Sequence, residues 1–143
     1  MPFADYARVL LDLAEAVHRW LGALAPLDRA RRRRVARYAG AIADTLARAA
    51  DALVALEANP TDPSAARRAA REFGRITGYI ETMVAVLDQH LDGRKLAGVK
   101  KRLERLEANA PRAEALGTES SRRVDRLAAA EGFFRALADG LGA

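Results

Sequence analysis

Apolar residues recur at three- and four-residue steps along most of the chain, the spacing that lines one face of an α-helix. Phe3, Tyr6, Leu10, Leu13, Val17, Leu21 and Leu24 form the first such stripe and predict a helix over about 3–24. Val9, Leu11 and Trp20 widen it, leaving Asp5, Arg8, Asp12, Glu15 and Arg19 as the polar remainder. A helix apolar around so much of its circumference is surrounded by several neighbours or has a second use for that surface.

After the turn Ala25-Pro26-Leu27-Asp28, the stripe Val35, Tyr38, Ile42, Leu46, Ala49, Leu53 and Leu56 predicts a second helix over about 29–58. Asp28 is placed to cap it, since its carboxylate can accept from free amides of the first turn. Asn59-Pro60-Thr61-Asp62-Pro63 is the clearest punctuation in the chain. Asp62 suits the next cap and Pro63 the first helical position, where a missing amide costs nothing. The third helix, about 63–91, carries Phe73, Ile76, Ile80, Met83 or Val84, Leu87 and Leu91. Gly74 and Gly78 interrupt it at some cost in helix propensity, and close approach of a neighbouring helix is the expected reason.

Asp92-Gly93 reads as the stop, with Gly93 suited to the left-handed residue after a helix. A fourth helix over about 94–109 has Leu96, Val99, Leu103 and Leu106 inward. Pro111 and Gly117 break the pattern before a fifth, about 120–141, with Val124, Leu127, Phe134, Leu137 and Leu141. No stretch alternates with the period of a strand. The prediction is therefore all-α. Short turns make the first four helices an up-down four-helix bundle, with the additional C-terminal helix on its side or over one end.

Composition narrows what such a bundle can do. The chain has 143 residues, the length of a single domain over 1–143. It has no cysteine, which removes disulfides, thiolate metal sites and cysteine nucleophiles. No signal peptide is visible and no run reaches the ~20 uncharged apolar residues of a spanning helix. A cytoplasmic protein is expected, with membrane association only on activation.

Catalytic chemistry is hard to find. Glu15-x-x-His18 has half the spacing of a carboxylate di-iron site, but Leu87 stands where His90 would need its glutamate. Phosphate-loop, nucleophile-elbow and zinc-protease patterns are missing. Ser64, Ser120 and Ser121 sit at predicted helix starts, where capping accounts for them. The expectation is a protein that is not an enzyme, with no catalytic residues, metal, cofactor or small-molecule substrate.

Charge supplies the one unusual feature. The net charge is +5 and the pI about 10.2, with 24 basic residues against 19 acidic. Arg29, Arg31, Arg32, Arg33, Arg34 and Arg37 crowd the first two turns of the second helix. That is the positive end of the helix macrodipole, where each cation is unfavourable by several tenths of a kcal/mol. Arg19, Arg94 and Lys95 are expected at the same end, and the carboxyl ends of helices one and three, with Asp88 and Asp92, are expected to compensate. Such a cluster is either a solvated, internally paired surface or a contact for phospholipid headgroups or nucleic acid. The anion-contact candidates are Arg29, Arg31, Arg32, Arg33, Arg34, Arg94 and Lys95.

Residues 32–53 read RRRVARYAGAIADTLARAADAL and look like the second helix of N-terminal helical domains in bacterial conflict and immune-like proteins. The helical layout from Phe3 to about Leu106 resembles the HeLo-like four-helix cell-death domains, including their bacterial counterparts, the Bell domains. The resemblance implies an effector or interaction domain of a bacterial immune or regulated cell-death pathway. It implies membrane targeting by the N-terminal helix, with Phe3, Tyr6, Leu10, Leu13 and Val17, and Trp20 near the basic end, as the membrane-seeking face. Arg31 to Arg34 would then meet headgroups. A basic adaptor bundle that binds nucleic acid or a protein partner is the alternative, and self-association through the basic end a third reading.

Overall fold

The computed structural model describes residues 3–19, 26–88, 93–108 and 122–142, except the side chains at 3–5, 95, 96, 122 and 123. They form five helices: α1 Phe3–Arg19, α2 Arg29–Ala58, α3 Pro63–Leu87, α4 Gly93–Ala108 and α5 Arg122–Gly142. Among the described residues there is no strand. Trp20 to Ala25 and the stretch from Gln89 to Asp92, to which the first and third helices were expected to extend, lie outside the described residues, as do Ser120 and Ser121.

The two aspartate caps form as the sequence predicts. Asp28 Oδ1 accepts from the amide of Arg31 at 2.9 Å, and Asp62 Oδ1 from the amides of Ser64 and Ala65 at 2.9 and 3.4 Å. Pro63 opens α3. Gly93 is a correction: it begins α4 instead of ending α3, and no described glycine has a positive φ.

All five helices contribute to one apolar core. Nearly every residue of the predicted α2 and α3 stripes that is described is buried, Tyr38 being half-buried. Tyr6 of α1 meets Phe73 of α3 edge-on, with ring centroids 5.2 Å apart. The Tyr6 hydroxyl lies 3.4 Å from the Phe73 carbonyl and 3.3 Å from Thr77 Oγ1. Burial holds that phenol well above its usual range, against the opposing effect of the Thr77 bond.

α2 is the spine, with its most extensive interfaces against α3 and α5. The α3 pairing is antiparallel, for Tyr38 lies near Tyr79 and Arg48 reaches Glu72 at 3.2 Å. So is the α5 pairing: Asp44 bonds Arg135 at 2.9 Å, Gly40 faces Ala138 and Ala36 faces Gly142. α1 packs on α5 and α4. The fifth helix is thus not an appendage, because it packs on both α1 and α2 and completes their shared core.

The glycines that do face a neighbouring helix lie on this α2–α5 seam, where an added methyl group would make ordinary contact. A methyl group at Gly40 or Gly142 would stand 3.9 or 3.7 Å from the facing alanine Cβ. At Gly74 and Gly78 it would meet nothing within 4 Å. The close approach expected there is not made by any described residue.

Candidate functional site

The sequence singled out two features, and the structure treats them oppositely. Of the proposed membrane-seeking face, Tyr6, Leu10, Leu13 and Val17 are each 0 % exposed. Ala7, Val9, Ala14 and Ala16 are buried as well, so α1 is enclosed on most sides. Its exposed described side chains are Arg8, Asp12 and Arg19. Trp20 and the side chain of Phe3 lie outside the described residues. No described helix is long and apolar enough to cross a membrane.

The arginine cluster is a surface. Arg29, Arg33, Arg34 and Arg37 are exposed, while Arg31 and Arg32 are half-buried. Asp28 serves twice here. Besides capping α2, its Oδ2 accepts from Arg31 Nη1 at 2.9 Å, an exposed pair of small net worth. Arg37 lies over the Tyr38 ring, 5.6 Å from its centroid. Arg94 lies in the first turn of α4 and is exposed; the Lys95 side chain lies outside the described residues.

As expected, the antiparallel pairing of α2 with α3 carries the carboxyl end of α3 toward this cluster, but its aspartate is engaged elsewhere and a second helix end joins it. Asp88 pairs with Lys100 at 3.3 Å, and Asp92 lies outside the described residues. The structure brings the C-terminal end of α5 to the start of α2, with Gly142 against Ala36. Antiparallel dipoles then oppose one another, the negative end of α5 facing the positive end of α2. This offsets the partial charges of the backbone and leaves the formal charges of the arginines in place. Arg29, Arg32 and Arg33 line a cleft of about 60 Å³ there with Leu141 and Gly142.

Two larger grooves escaped the sequence reading. One, about 340 Å³, runs between α3 and α4 along Ala70, Phe73, Gly74, Thr77 and Gly78, with Glu81 and Glu107 at its rim. A hydrogen bond that the protonated Glu107 carboxyl gives to Glu81, with burial and the charges of Glu81 and Glu104 behind it, raises that carboxyl above its ordinary range. The other, about 310 Å³, lies between α2 and α3. It carries a polar relay: Arg48 bonds Thr45 at 3.0 Å and Glu72 at 3.2 Å, and Arg75 reaches Tyr79 at 3.3 Å. Every charged group of that relay has a partner, which accounts for it as a tie between the two helices.

Glu15 and His18 are both partly buried on α1, and the His18 ring packs 5.4 Å from Phe133. Among the described residues no group of three or more His, Cys, Asp or Glu could hold a metal ion. Comparison with protein-family models, with curated proteins and with solved structures returns no match.

Proposed function

We propose that the chain is a non-enzymatic helical interaction domain, of the kind that acts as an effector in bacterial immune or regulated cell-death pathways, and that it engages an anionic partner through the arginine end of α2. The observation that carries this is the exposure of Arg29, Arg33, Arg34 and Arg37 at a terminus where α2 is already positive. The up-down bundle of the first four helices, one domain over 1–143 and a cytoplasmic resting form belong to the same reading.

The partner of the effector reading is an anionic membrane. Since Leu10 and Leu13 are buried, the described surface of the resting form meets headgroups with its arginines, and α1 must leave the core before these residues can enter lipid. The test is vesicle flotation and dye leakage with phosphatidylserine vesicles against neutral ones. Charge reversal at exposed positions, Arg33→Glu with Arg34→Glu, is expected to weaken binding roughly ten-fold at low salt. Equal recovery with neutral and anionic vesicles would remove this reading.

A second reading, a basic adaptor for nucleic acid or a protein partner, is favoured by the surface itself. Among the described residues the one exposed large apolar side chain is Val54, so association through the described surface is electrostatic. Nucleic-acid binding predicts an affinity that falls linearly on a log–log scale with salt. A flat titration with DNA and RNA at low salt counts against that partner.

A further inference from the structure

The cleft at the junction of α2 and α5 is more specific than a basic patch. Arg29, Arg32 and Arg33 wall it on one side and the last turn of α5, Leu141 and Gly142, on the other. Asp28, the acidic residue nearest in sequence, already gives both carboxylate oxygens to Arg31. Within the described residues no carboxylate pairs with the three arginines of the cleft. The Nε–H of Arg32 is buried and has no hydrogen-bond partner. A buried donor on a charged group is costly to leave unmatched, so Arg32 is where an added acceptor would gain most in this cleft.

The chemistry of that acceptor follows from the donors. A single guanidinium fork saturates one edge of a planar carboxylate. Three forks around one cleft suit a tetrahedral oxyanion, whose several oxygens each take a donor. Two negative charges on the anion would also offset more of the cluster than one. The negative end of α5 offsets the helix start here, so the attraction for an anion comes from the formal charges of the three arginines.

We propose that this cleft is a site for a phosphate monoester group, seated between Arg29, Arg32 and Arg33, with Arg32 as its innermost contact. The inference rests on the reading that the arginine end of α2 engages an anionic partner, and it names the group recognised. A phosphomonoester lipid headgroup and free phosphate share this chemistry.

The experiment uses the full chain in two arms. Calorimetric titration with inorganic phosphate measures the free group. Flotation compares phosphatidylcholine vesicles carrying phosphatidic acid with vesicles of equal charge carrying phosphatidylserine. Arg32→Lys keeps the charge and removes the fork, and Arg71→Gln, on the α2–α3 groove, serves as the distant control. Thermal melts establish that both variants fold. If Arg32→Lys melts early, Arg29→Lys, at an exposed position of the same cleft, replaces it.

The expected result is a loss of phosphate affinity of roughly ten-fold in the cleft variant and none in Arg71→Gln. A preference for phosphatidic acid over phosphatidylserine identifies the lipid as source. Phosphate binding without a vesicle preference supports the site with a soluble ligand. Equal binding to both vesicles, indifferent to the cleft variant and lost on charge reversal at Arg33 and Arg34, overturns the site and leaves the broader reading standing. Failure to bind inorganic phosphate, any anionic vesicle or polynucleotide overturns both.

Discussion

α1 and the first two turns of α2 both break a rule of ordinary surface helices. α1 has too much apolar circumference for one core face, and the start of α2 has too many cations for a positive helix end. Packing resolves the first anomaly: α5 and α4 flank α1, and Tyr6 reaches α3, so the excess apolar surface is spent inside. The second is answered only in part. α5 brings its negative end alongside, but Arg29, Arg33, Arg34 and Arg37 stay in solvent. An anomaly of hydrophobicity can be settled by neighbours in the same chain. An anomaly of charge left at the surface points to something outside it.

That contrast can be broken first at α1. Leu13→Ala removes a fully buried side chain and is expected to cost about 2–5 kcal/mol in chemical denaturation. A loss under about 1 kcal/mol would mean that α1 is only loosely held, and would restore its apolar face as a working surface. The open face of α3 gives the next largest effect, with the opposite sign. Gly74→Ala with Gly78→Ala should stabilise by about 1–2 kcal/mol together, because the new methyl groups enter helix interior without a clash. Destabilisation by the pair would show that another helix does approach there.

At the start of α2, Asp28→Ala removes the cap and the carboxylate beside the arginines. A loss of about 1 kcal/mol is expected, larger at low salt than at high. Insensitivity to salt would deny the cluster its electrostatic character. The smallest effect belongs to Glu107. Its carboxyl is raised in the folded protein, so it contributes stability in acid that is lost as the pH rises through the raised value. Glu107→Gln should therefore leave stability unchanged in acid and improve it slightly at neutral pH, as read by melting at a series of pH values.

Much of this fold is written in residues whose preferences are local. Asp28, Asp62 and Pro63 declare helix starts because capping depends on a few neighbouring amides. Branched and aromatic stripes declare faces, and nearly all of those described are buried. What a face packs against is not local. Ala36, Gly40, Ala138 and Gly142 make the seam between α2 and α5, yet small residues carry little weight in a hydrophobic pattern. The same blindness assigned close approach to Gly74 and Gly78, when Gly40 was the glycine with a helix beside it. At the basic end, the run of arginines was plain to read. Its neighbours were legible in part: the end of α3 comes alongside as expected, but the fold gives Asp88 to Lys100 and adds the end of α5.

The seam of α2 with α5 also governs how this chain reaches its native state. Asp44 and Arg135 are 91 positions apart, and the contacts of Ala36 with Gly142 lie further still. Closing so long a loop costs chain entropy before any contact rewards it, and high contact order slows folding. α2 and α3, joined by a four-residue turn, can pair early as a hairpin. During synthesis α2 emerges some sixty residues before α5 begins, so its second apolar flank must wait uncovered for the last helix to arrive. The interval between those two events is when this protein is most exposed to aggregation or to capture by another chain.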